Sequence, residues 1–183
     1  MKKIYILLTR SDTLLSKVVG LVTSARYTHV SIAFDEHLQA VYSSSRKNGR
    51  TLFPAGPCRE NLEAGYWEEH DAVPCALYEL RVSDQAYWAA MQEVERIMSR
   101  QEFYHFNILG LLLCRLNIPF HRRHHFFCSQ FVALVLGRSG ALELPKDPTV
   151  MQPGDYMELP ELICQFQGRL RELLQHRPQP LAA

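Results

Sequence analysis

Two side chains in this sequence are placed to do chemistry together. Cys128 lies in His-Phe-Phe-Cys-Ser-Gln-Phe-Val-Ala-Leu-Val-Leu (125–136), and His29 in Tyr-Thr-His-Val-Ser-Ile-Ala-Phe-Asp (27–35). A thiol at neutral pH is mostly protonated, and only the thiolate attacks a carbonyl. A helix N-terminus and a neighbouring imidazolium both favour the thiolate. Phe131, Val132, Val135 and Leu136 follow Cys128 at helical spacing, which puts the cysteine at the top of a core-facing stripe, on a helix closed by Gly137 or Gly140. Val30, Ile32 and Phe34 alternate with His29, Ser31 and Ala33. His29 therefore faces away from its strand's large apolar side chains, among small neighbours that leave room for another element. Each residue alone is more often structural, the cysteine as a small buried hydrophobe. Paired, they are the parts of a thiol hydrolase that would work through a thioester.

The elements that must position them follow from periodicity. Residues 3–9 read as a central strand. Ser11 and Asp12 offer an N-cap to a helix carrying Leu14, Leu15, Val18, Val19 and Val22. After the His29 strand and a turn at 35–37, residues 39–44 form a second strand paired back as a hairpin. The stretch 45–75 has little periodicity and reads as a long surface loop of the kind that often serves as a lid. Residues 76–82 are a third strand, and Ser83 caps a helix whose stripe is Tyr87, Met91, Val94 and Met98. A helix over 107–116 ends before Pro119, the Cys128 helix follows, and after Pro153-Gly154-Asp155 a last amphipathic helix reaches Leu174. No repeat or linker interrupts the chain. The expectation is one α+β domain over residues 1–175 with a flexible tail over 176–183.

Composition narrows the functional classes. With 183 residues, 47% hydrophobic and 21% charged, the chain can bury a proper core. A net charge of +1 gives no global argument for nucleic acid. Five cysteines, an odd number without C-x-x-C spacing, speak against a disulfide framework and suit a reducing, cytoplasmic setting. The run Ile-Tyr-Ile-Leu-Leu after Met-Lys-Lys is too short for a signal peptide, and the apolar run 108–114 is far short of the ~20 residues that cross a bilayer.

Thr28-His29-Val30-Ser31-Ile32-Ala33, Tyr42-Ser43-Ser44 and Phe127-Cys128-Ser129-Gln130-Phe131-Val132 together resemble the circularly permuted branch of the NlpC-type papain-like superfamily. That branch contains YiiX/YebB-like cysteine hydrolases and, more distantly, the lecithin:retinol acyltransferase group. In it the histidine strand precedes the cysteine helix, as here, and the resemblance runs from the first strand to Pro153-Gly154-Asp155. It implies a permuted papain-like fold, a small antiparallel sheet or partial barrel packed against helices, with the Cys128 helix against the His29 strand. It implies Cys128 as nucleophile and His29 as general base and later general acid, with no cofactor and no metal. The family commonly orients its histidine with a His, Glu, Asn or Gln on the following strand. The strand here, Ala40-Val41-Tyr42-Ser43-Ser44-Ser45, carries none of these. That leaves the hydroxyls of Ser43, Ser44 or Tyr42, or a backbone carbonyl. The Cys128 N–H would serve the oxyanion, and relatives often add a tyrosine from just before the cysteine helix, for which Tyr104 is the candidate. A core aromatic is the competing reading of Tyr104.

Three functions compete on these grounds. The leading one is a cysteine hydrolase or acyltransferase acting on a peptide amide or a fatty acyl ester or amide. The second is a catalytically idle binding module of the same fold. The third is a zinc-binding interaction protein using His121, His124, His125 and Cys128, against which stands the lack of a second ligand pair. The apolar run 108–113 beside Arg122-Arg123 raises contact with an anionic membrane or lipid. A buried helix followed by a solvated charged loop is the preferred reading of that segment.

Overall fold

The computed structural model describes residues 1–10, 25–46 and 55–177. The helix expected between Ser11 and Val22 lies outside the described residues, as does the end of the tail. The centre is a six-stranded sheet in which every neighbouring pair is antiparallel. Its strands are β1 (Lys2–Thr9), β2 (His29–Ala33), β3 (Val41–Arg46), β4 (Ala55–Glu60), β5 (Pro74–Val82) and, last in the chain, β8 (Leu162–Arg169), in the order β4-β3-β2-β1-β5-β8. A parallel pair, β6 (His105–Phe106) and β7 (His125–Phe126), forms a second, two-stranded sheet. The helices are α1 (Tyr66–Glu69), α2 (Asp84–Met98), α3 (Ile108–Arg115), α4 (Cys128–Arg138) and α5 (Leu170–His176). The molecule is thus α+β, an antiparallel sheet packed against helices.

Both faces of the sheet are covered, because both sets of alternate side chains in the central strands are apolar. On one face Ile4, Ile6, Leu8, Val30, Ile32 and Phe34 meet α2 and α4 through Val94, Ile97, Phe131, Val132 and Val135. On the other, Tyr5, Leu7, Ala33, Val41 and Leu77 meet Leu62, Trp67 of α1, and Leu170 and Leu173 of α5. The Ser83 hydroxyl accepts from the Ala86 N–H at the head of α2, and Asn107 does the same for Gly110 at the head of α3. Helix α4 ends at Arg138, followed by Gly140 at φ +68°, a left-handed conformation glycine adopts without a Cβ penalty.

Two expectations are corrected. The stretch 45–75 is not an extended surface loop. It contains β4, paired with β3 from Val41↔Glu60 to Arg46↔Ala55, and α1; residues 47–54 lie outside the described set. Ala-Gly-Pro-Cys-Arg-Glu has little strand propensity, yet at the edge of the sheet its proline costs no ladder bond that a central strand would need. Second, the last amphipathic segment is a strand before it is a helix. Residues Leu162–Arg169 pair with β5, and only Leu170–His176 are helical. Backbone pairing with an otherwise open strand edge overrides the local helical pattern there.

Strand β4 also approaches β6 closely. A Cβ built on Gly56 would lie 2.8 Å from the Tyr104 carbonyl oxygen, a backbone atom with no side-chain freedom to yield. Gly56→Ala is therefore expected to destabilise the protein by about 1–3 kcal/mol, the usual cost of overpacking. Urea unfolding would read this as a lowered midpoint, and an unchanged midpoint would contradict the close contact.

Candidate active site

Backbone pairing between β2 and β3 covers only Ile32↔Tyr42 and Ala33↔Val41. Towards His29 the side chains of β3 take over the work of the ladder. The Ser43 hydroxyl donates to the Val30 carbonyl at 3.0 Å, and the Ser44 hydroxyl donates to the Phe126 carbonyl at 2.8 Å, just ahead of α4. The two strands part here and the N-terminus of α4 is tied to both, the Val30 backbone N–H reaching the Cys128 sulfur. This parting explains how a cysteine delivered from one helix layer meets a histidine whose neighbours, Ser31 and Ala33, face the other.

Cys128 is the first residue of α4, and its N-cap, Phe127, supplies no side-chain hydrogen bond. The first-turn N–H groups of a helix have no intrahelical acceptors, so the sulfur sits where unpaired donors and the positive end of the dipole converge. The thiol is hydrogen-bonded to the His29 ring. His29 Nε2 in turn lies 2.9 Å from Glu60 Oε1. The Glu60 carboxylate also accepts from the Ser31 hydroxyl at 2.7 Å and the Ser45 hydroxyl at 2.9 Å. Cys128, His29 and Glu60 are all buried, and the Trp67 ring stands 5.9 Å from the imidazole, roofing it from the side of α1. A buried carboxylate is costly unless hydrogen-bonded and paired, and Glu60 is both.

The charges of this chain of three are set by one another. Burial alone would raise the Glu60 pKa, but the His29 charge and hydrogen bonds from His29, Ser31 and Ser45 hold it below the ordinary carboxylate value. Burial alone would lower that of His29, yet the Glu60 charge and hydrogen bonds to Cys128 and Glu60 carry it up to about 10. Burial would raise the Cys128 thiol; its hydrogen bond to His29, the His29 charge and backbone donors from Val30 and Ser129 instead bring it below the usual thiol value. Burial without such partners does the opposite elsewhere, pushing Cys75 up to about 12 and Cys114 up to about 11. All five cysteines are free. Of these three buried thiols, Cys128 alone is shifted towards the thiolate.

The other residues singled out from the sequence fall elsewhere. Ser43 and Ser44 are fully buried, but their hydroxyls hold backbone carbonyls, not the imidazole. Tyr42 packs near Phe34, with ring centroids 6.5 Å apart. The Tyr104 hydroxyl accepts a hydrogen bond from Arg96 at 3.1 Å, and its ring stacks on Phe126. It lines a cavity whose wall includes neither Cys128 nor His29. Glu60 is the site residue the sequence reading missed, because it sits on a strand that reads as loop. The available signal was the alternation Gly56-Cys58-Glu60 beside a serine-rich strand. Among the described residues no group of three or more His, Cys, Asp or Glu is placed to hold a metal ion. His121 pairs with Asp147 at 3.2 Å, and His125 Nδ1 donates to the Arg123 carbonyl. No described helix is long and apolar enough to cross a membrane.

Comparison with protein-family models, curated proteins and solved structures finds no match to this chain.

The coupling of the three groups has a measurable sign. Removing the Glu60 charge removes what raises His29, so the imidazole deprotonates at lower pH and the thiol loses its cationic partner. In Glu60→Gln the pH profile of Cys128 alkylation, read by mass spectrometry, should move to higher pH by about 1–3 units. A profile identical to that of the unmodified protein would break the proposed chain of influence.

Proposed function

We propose that this chain is a cysteine hydrolase or acyltransferase of the circularly permuted papain-like kind, with Cys128 as nucleophile, His29 as acid–base and Glu60 as the residue that positions and charges the imidazole. The observation that carries the reading is the hydrogen-bonded series Cys128–His29–Glu60 at an uncapped helix N-terminus. A structural cysteine has no use for a buried imidazole–carboxylate pair beside it, whereas a nucleophile needs each member. The identity of the orienting group also removes the main argument for an idle binding module.

In the reaction, the Cys128 thiolate attacks the carbonyl carbon of an amide or ester, and the carbonyl electrons move onto oxygen. The backbone N–H of Cys128, at the uncapped start of α4, stabilises that oxyanion. The His29 imidazolium gives its proton to the departing amine or alkoxide as the carbon–heteroatom bond breaks, leaving a thioester. Neutral His29 then takes a proton from water, or from the hydroxyl or amine of an acceptor, as that group attacks the thioester. Collapse expels the thiolate and the imidazolium is restored. Glu60 stays ionised throughout and holds the ring in one orientation, as a carboxylate does in triads of this logic. The substrate class is a peptide amide or a fatty acyl ester or amide, no cofactor enters, and the unpaired cysteines fit action in the reducing cytoplasm.

Incubation with activated acyl esters tests this directly. Intact-mass analysis should show one acyl group on the protein, on the peptide carrying Cys128, and none on Cys128→Ser. His29→Ala should slow acylation by about 10²–10⁴-fold, the usual worth of a positioned acid–base. Glu60→Gln should lie between the two proteins, with its pH profile displaced. Acylation spread over several cysteines, or unaffected by His29→Ala, would defeat the assignment.

A further inference from the structure

The face of α4 turned away from His29 borders a second feature that the thiol chemistry does not use. A half-open cavity of about 520 Å³ is bordered by Arg96 of α2, Gln130 and Arg138 of α4, Arg122 and Arg123 of the loop before β7, and Thr149. Four guanidinium groups line it, and among the described residues no carboxylate does. Glu93 stands behind the wall and is shared by Arg96, at 2.7 Å, and Arg138, at 2.8 Å, so one negative charge serves two positive ones. Arg122 and Arg123 are exposed and their side chains have no ion-pair or hydrogen-bond partner among the described residues. Gln130 is 3% exposed, and its Oε1 finds no hydrogen-bond partner.

Like charges gathered around a concavity repel one another unless something of opposite sign occupies it. Guanidinium forks match the oxygens of phosphate bidentately, and a phosphate ester near neutral pH carries up to two charges for several arginines to share. We propose that this cavity binds a phosphate group borne by a small organic molecule or a lipid headgroup. The volume lies within the range of small-molecule sites, so an organic portion fits beside the phosphate, against Phe126, Leu134 and Pro148. The lipid source has its own structural reason. The excursion that carries Arg122 and Arg123 also contains α3 and the turn after it, where Leu109, Leu112, Leu116 and Ile118 point outward at 47–68% exposure. Apolar side chains at that exposure beside unpaired arginines suit a phospholipid surface. The proposal does not depend on Cys128 being reactive, since neither Cys128 nor His29 lines the cavity.

Calorimetric titration of the full chain with inorganic pyrophosphate, and co-sedimentation with phosphatidylglycerol vesicles against phosphatidylcholine vesicles, provide the two arms. Binding of pyrophosphate identifies a soluble phosphate as sufficient; binding only of the anionic vesicles identifies the headgroup. Either result supports the site if affinity falls at least about tenfold in Arg122→Ala/Arg123→Ala, as expected for lost charge-assisted hydrogen bonds, and falls with added salt. Both arginines are exposed, so thermal unfolding of the double variant without ligand should match that of the unmodified protein. Failure of both probes to bind, or equal binding by the double variant, would overturn the proposal.

Discussion

The structure around the site depends on one buried charge. Glu60 lies on an edge strand with 8% of its surface exposed, and three side chains satisfy its carboxylate: an imidazole and two serine hydroxyls. They come from two neighbouring strands, His29 and Ser31 from β2 and Ser45 from β3. Stripping one partner from a buried ion pair typically costs about 3–5 kcal/mol because the remaining charge is left uncompensated. That penalty makes the edge strand, the hairpin and the imidazole a single cooperative unit. The geometry that positions His29 is thus also part of what keeps β4 in the sheet.

The parting of β2 from β3 follows from the same economy. A continuous ladder would leave the first turn of α4 with no place at the sheet, whereas an open gap would strand backbone carbonyls in the core. Ser43 and Ser44 resolve this by donating to the Val30 and Phe126 carbonyls. Small hydroxyl side chains can do so where a larger residue would block the helix. Their part is to build the opening through which sulfur and imidazole meet. Serines beside the His29 strand are polar and buried for a reason. The reason is a backbone one.

How much of this was legible in the sequence divides along physical lines. His29 and Cys128 could be read because their signals are periodic: strand alternation around the histidine and helical spacing after the cysteine. The first hairpin, the Ser83 cap and the α3 start were legible for the same reason. Glu60 was not, because Gly56-Pro57 erases the strand signature and because its meaning comes from β4 lying beside β3 in space. The strand at Leu162–Arg169 was hidden by a pattern that also fits a helix, and only the unsatisfied edge of β5 decides between them. The α3 face shows the converse failure. Its leucines read as core by composition, yet Leu109, Leu112 and Leu116 are outside.

The contrast among the cysteines shows what burial does without design and with it. Cys75 and Cys114 lie in apolar surroundings that suppress ionisation, as a low dielectric must. Cys128 is as deeply enclosed, so its thiolate has to be held by specific donors: an imidazolium, two backbone N–H groups and the end of a helix. Those donors are worth more there than in water, because no solvent screens them. The same enclosure that would make an unpartnered thiol inert therefore concentrates the field on this one. Such an arrangement favours negative charge at the sulfur, and it asks nothing further of the protein than that the strands stay parted.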